Sequence, residues 1–157
     1  MERINEVKAV VAAMFAAVSA WLGWFGWLVV IYAVSMVIDY AVGSALAGKR
    51  GEWKSKRARE GIWHKGGSII VVLVAGLADL LLGLIINNIP SITLPFTYSV
   101  FLCPVVLVWY ILTELGSIVE NAGEMGAPVP GFLRRIIAVL HDTVEDAGDK
   151  LTGKSNQ

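Results

Sequence analysis

The feature that most restricts this chain is the length of its apolar runs. Between Ala9 and Gly48 the only ionisable side chains are Tyr32, Asp39 and Tyr40. A helix on the surface of a soluble protein turns a polar face to water about once every turn. No such face interrupts this stretch. The hydrocarbon core of a bilayer is about 30 Å thick, and a helix needs roughly 20 mostly apolar residues to cross it. Residues 9–48 as one helix would reach about 60 Å, twice that thickness, so the run must bend or divide. The break is expected at Trp21-Leu22-Gly23-Trp24-Phe25-Gly26-Trp27. Glycines loosen a helix there, and tryptophans prefer the membrane–water interface. Only 17% of the residues are charged, against about 25% in soluble domains. The expected fold is an all-α integral membrane protein.

Three segments are long enough to cross: residues 22–46, residues 66–89, which contain Asp79, and residues 96–119, where Pro104 is expected to kink the helix and Glu114 sits near the end. The piece before residue 22 is short for a span. It reads as an interfacial helix or a fourth crossing. Ala9, Ala13 and Ala17 recur there every four residues, and Gly43 and Ala47 repeat the spacing further on. Small residues so placed let helices approach closely. Asn87-Asn88-Ile89-Pro90 opens an uncharged connector over 87–95, whose prolines and asparagines stop the helix.

Charge is segregated along the chain, although its formal sum is zero. Residues 48–65 hold seven cations, Lys49, Arg50, Lys54, Lys56, Arg57, Arg59 and Lys65, against Glu52 and Glu60, a net charge of +5. A short basic loop between two spans stays on the cytoplasmic side. With Trp53 and Trp63 it suits a surface of anionic lipid headgroups, where each cation contributes about 1 kcal/mol. That position disfavours nucleic acid as its partner. Residues 120–130 form a polar exit rich in glycine and proline. Residues 131–147 form an amphipathic helix with Phe132, Leu133, Ile136, Ile137, Leu140 and Val144 on its apolar stripe. That helix is too polar to span, so it rests on the inner surface or packs against neighbouring copies. The layout is an N-terminal helix over 1–21, a membrane domain over 22–119, and a cytoplasmic helix and tail over 120–157. The basic loop lies inside and the Asn/Pro connector outside. The N-terminus lies outside with three spans and inside with four.

Asp39, Asp79 and Glu114 are the informative polar residues. An acid at the centre of a bilayer helix costs about 2.5–3.5 kcal/mol on insertion scales. No Lys or Arg occurs within the three spans to pair with them. Three solutions stay open: a path that becomes wet in an oligomer, protonation with hydrogen bonding between helices, or a proton relay. Nothing points to catalysis. Ser68, Ser99 and Ser117 have no histidine base nearby in sequence, and Gly66-Gly67-Ser68 lacks the lysine of a phosphate-binding loop. Cys103 is the single cysteine, which excludes a disulfide within the chain. His64 and His141 are isolated, without zinc-site spacing. No enzymatic activity, metal or cofactor is expected.

Three segments carry a resemblance. The first is Asp39-Tyr40-Ala41-Val42-Gly43-Ser44-Ala45-Leu46-Ala47. The second is Ser55-Lys56-Arg57-Ala58-Arg59-Glu60-Gly61-Ile62-Trp63-His64-Lys65-Gly66. The third and most specific runs from Tyr110 to Pro130 and includes Glu114, Gly116, Glu120, Asn121, Gly123, Pro128 and Pro130. Together they make residues 22–133 resemble the toxin-secretion/phage-lysis holin family. The resemblance implies a homo-oligomer in the bacterial cytoplasmic membrane that opens lesions at a set time. An endolysin, or in some relatives a toxin, would be passing cargo. Two other readings stand beside it: a small ion or proton channel built on the three acids, and a membrane-anchored scaffold or lysis regulator using the C-terminal helix.

Overall fold

The computed structural model describes residues 2–51, 55–89 and 100–151. They form four helices: α1 (Glu2–Lys49), α2 (Ser55–Asn88), α3 (Leu102–Glu124) and α4 (Gly131–Leu151). α1 is broken at Gly23, whose φ of 61° and ψ of −175° lie far from helical values. A residue with a Cβ resists that conformation, and glycine does not. The break falls inside the tryptophan-rich segment where the sequence predicts it. Among the described residues three segments are long and apolar enough to cross a membrane: Gly23–Lys49, Gly61–Asn88 and Leu102–Glu124. Leu73, Leu77, Leu80 and Leu84 are each more than 60% exposed along one face of α2. Their spacing is that of a single helical stripe, and lipid is the solvent that suits it.

Several boundaries differ from the sequence reading. The basic stretch is largely helical, because α2 begins at Ser55 and not at residue 66. α3 begins at Leu102, later than the apolar composition from residue 96 suggests. Pro104 is therefore the third residue of α3, not an interior one. Proline is tolerated in the first turn, where its missing N–H would have no helical partner, so the expected kink has no cause. α4 continues to Leu151.

α3 is the central element and packs against α1, α2 and α4, whereas α1 and α2 meet only briefly. α1 and α3 run parallel and α2 antiparallel, as three successive crossings require. The core is built from Tyr32, Ala75, Cys103, Leu107 and Ile111, with Leu107 fully buried. Lipid tails are as apolar as leucine, so helices in a membrane associate through packing and interhelical hydrogen bonds. One such bond runs from the Tyr32 hydroxyl to Ser68 Oγ at 2.7 Å. The Tyr32 ring also lies 6.0 Å from that of Tyr110. At the basic end of the bundle Lys49 Nζ donates to the Met125 carbonyl at 3.0 Å. Arg50 pairs there with Glu124 at 2.9 Å. The Arg50–Glu124 pair is half-exposed, so it contributes at most about 1 kcal/mol.

Candidate functional site

The intramembrane acids fall into two places. Asp39 and Glu114 meet around a cation that the sequence reading placed on the surface. Lys65 Nζ lies 3.1 Å from Asp39 Oδ2 and 2.5 Å from Glu114 Oε2. Their side chains are 19%, 17% and 11% exposed for Lys65, Asp39 and Glu114 respectively. The expectation that no span carries a cation for these acids is therefore corrected. Lys65 is part of α2, and its ammonium, with three donors, joins α1, α2 and α3. Asn121 Nδ2 extends the cluster, standing 3.4 Å from Asp39 Oδ1 and 3.4 Å from Ser117 Oγ. The cluster borders a cavity of about 840 Å³ that Trp63, Trp109 and Tyr110 also line.

The sequence held a usable signal for Lys65. Ser68, Ala75 and Asp79 are buried on α2, and Lys65, Ser68, Val72, Ala75 and Asp79 recur at the spacing of one helical face. Once α2 is extended back through the basic segment, Lys65 falls on that inward face.

Asp79 sits far from this cluster, fourteen residues along α2 or about 21 Å. It is 4% exposed. Its Oδ1 accepts the backbone N–H of Phe101 at 3.1 Å and of Leu102 at 2.9 Å, and its Oδ2 accepts that of Cys103 at 2.7 Å. These are the first N–H groups of α3, which have no helical acceptor. Phe101 occupies the cap position and supplies no side-chain bond. A carboxylate from the neighbouring helix does what Ser, Thr, Asp or Asn usually does locally. It also places negative charge at the positive end of the helix dipole. In lipid each unsatisfied N–H costs several kcal/mol, so α3 can begin here only because α2 presents Asp79.

The segment from Tyr110 to Pro130 that carries the resemblance has a structural explanation at its C-terminal end. Gly126 has a φ of 100°. Its N–H donates to the Gly123 carbonyl at 3.0 Å, and the Ala127 N–H donates to the Ala122 carbonyl at 3.0 Å. This pair of bonds is a Schellman cap, which requires a left-handed residue after the last helical turn. Pro128 and Pro130 then prevent continuation, and the chain reverses into α4. A Cβ on Gly123 would stand 2.5 Å from an Arg134 nitrogen, and one on Gly116 would stand 3.9 Å from Ile137. A Cβ at Gly116 would thus make an ordinary contact with α4, and one at Gly123 would displace only the end of the Arg134 side chain. Glu120 is exposed. Replacing Gly126 with Ala should cost about 1 kcal/mol through its positive φ. The expected readout is faster protease cleavage over 125–130, with α3 itself still protected.

The remaining predicted residues are placed as follows. Gly43 faces Asn121 within the chain, where a Cβ would make an ordinary contact with its Nδ2 at 3.7 Å. Ala47 is half-buried and Ala13 exposed. Lys54 and the side chains of Ala9, Ala17, Lys56, Arg57 and Arg59 lie outside the described residues.

The profile of the bacteriophage holin family matches residues 16–142. An uncharacterized protein of Halalkalibacterium halodurans is 33% identical over 129 residues, covering 82% of this chain and 89% of the relative. An uncharacterized protein of Listeria innocua is 31% identical over 123 residues, 78% of each chain. One of Clostridium perfringens is 31% identical over 114 residues, covering 73% of this chain and 75% of the relative. No solved structure matches the chain. The match covers all three apolar helices and most of α4, and the chain belongs to the bacteriophage holin family of multi-pass membrane proteins.

Proposed function

We propose that this protein acts as a holin of the bacterial cytoplasmic membrane, self-associating and opening lesions through which an endolysin or a toxin leaves the cell. The observation that carries this reading is the family match, which takes in every membrane helix. The charge arrangement supports it. With Asp39 and Glu114 both in contact with Lys65 inside the bundle, the protein can accumulate in lipid with a largely apolar exterior and its charged groups turned inward at that cluster. The protein has no chemical step of its own in this scheme; the endolysin cuts the wall.

The experiment is induced expression in a bacterium with a co-produced endolysin that lacks its own export signal. The culture should stay intact for a delay and then clear within minutes, at the time the membrane potential falls. A second reading, a small ion channel, draws on the cavity beside the Lys65 cluster. It predicts a fall in potential with the endolysin retained. A scaffold or regulator predicts neither event.

A further inference from the structure

The acids of the spans are engaged by Lys65 and by the start of α3, so water-facing charge must be sought elsewhere in the bundle. α4 holds it. Its contacts climb α3 from the basic end: Arg134 lies at Gly123 and Ile137 at Gly116. His141 lies 3.3 Å from Thr113 Oγ1, with its ring centroid 4.9 Å from that of Trp109. The covered face runs through Ile137, His141 and Val144, all half-buried at the spacing of one helical stripe, and opens at Gly148, where a Cβ would meet nothing within 4 Å. Among the described residues α3 is the helix that covers them. α4, with 21 residues, is about 31 Å long, against about 35 Å for the 23 residues of α3. Its second half therefore stands beside the membrane-spanning part of α3.

That half carries Asp142, Glu145, Asp146 and Asp149, all exposed. The side chains of Asp142 and Glu145 are 80% and 59% accessible. Set against lipid at mid-depth, each acid would cost about 2.5–3.5 kcal/mol, more than one helix–helix contact recovers. On the other flank of α4, roughly 130° round the helix, Phe132, Ile136, Val139 and Leu140 are exposed. The apolar flank occupies residues 132–140 and the acids residues 142–149, so it is the second half of α4 that needs water beside it.

We propose that α4, still docked on α3, forms the water-facing wall of the open lesion, with Asp142, Glu145, Asp146 and Asp149 favouring cations in the lumen. This rests on the lesion reading and names the element that lines it. The rival is a strap that must leave α3 before a lesion forms.

The test uses the full-length chain in planar bilayers, in a Cys103→Ala background. Gly116→Cys with Ile137→Cys allows α4 to be crosslinked to α3, by oxidation or with a short bifunctional thiol reagent. Crosslinked protein should conduct as well as the reduced form. In about 10 mM salt, where screening extends to ~30 Å, replacing Asp142, Glu145 and Asp146 with Lys should lower the K⁺/Cl⁻ permeability ratio at least twofold. Conductance lost on crosslinking, or a ratio unchanged by the lysines, overturns the assignment while lesion formation stands. Failure of the uncrosslinked chain to conduct at all removes the lesion reading and this assignment with it.

Discussion

Lys65→Met should be among the most damaging single substitutions in this protein. It would strand Asp39 and Glu114, both more than four-fifths buried at the side chain, without the ammonium that joins them. Removing one partner of a buried charge pair typically costs 3–5 kcal/mol, because the remaining charge stays desolvated. Both acids keep a little exposure, so a loss at the lower end, about 3 kcal/mol, is expected. The checks are the steady-state amount in membranes and the midpoint of unfolding by denaturing detergent. Neutralising the stranded acids in the same chain, with Asp39→Asn and Glu114→Gln, should recover most of the loss. An apolar or neutral replacement for a whole buried cluster is often tolerated when removal of one member is not. A triple variant as unstable as Lys65→Met would show that Lys65 acts by packing rather than by charge.

The second large effect belongs to Asp79. Asp79→Ala would remove the acceptor of three backbone N–H groups at the start of α3. Each buried donor left unsatisfied costs about 1–3 kcal/mol, and lipid offers no water to replace the acceptor. Three such donors set the scale at about 3–9 kcal/mol; fraying of the opening turn relieves part of it, so a loss of about 3–5 kcal/mol is expected. Amide hydrogen exchange over 101–105 should rise by at least tenfold, while exchange near Leu112 and Glu114 changes little. Asp79→Asn keeps one carbonyl oxygen and should fall between the two. A global loss of protection in Asp79→Ala would instead make this contact a condition for the whole bundle.

These two positions show what could be read in the sequence and what could not. The three spans and the break near Gly23 follow from local composition, which depends on bilayer thickness and on glycine's freedom. The role of Asp79 is not local. Its partners lie more than twenty residues away in another helix, and no pattern around Asp79 announces that α3 starts beside it. The start of α3 was itself obscured, because Val100 and Phe101 are as apolar as the helix interior. Lys65 was hidden by its neighbours. At the end of a run of cations it looked like one more surface charge, although its register with Ser68, Ala75 and Asp79 points inward. The segment from Gly123 to Pro130 was legible as a family feature before its mechanics were. The structure shows it to be a helix cap and reversal that sets α4 against α3.

A holin role requires that these membrane helices assemble into openings large enough for a folded protein. Its most direct measurement is release from liposomes containing the purified chain and loaded with dextrans graded from small to endolysin-sized. Above a threshold protein density, all sizes should escape together and abruptly. Graded escape of ions alone, with every dextran retained at any density, would contradict a lesion-forming role.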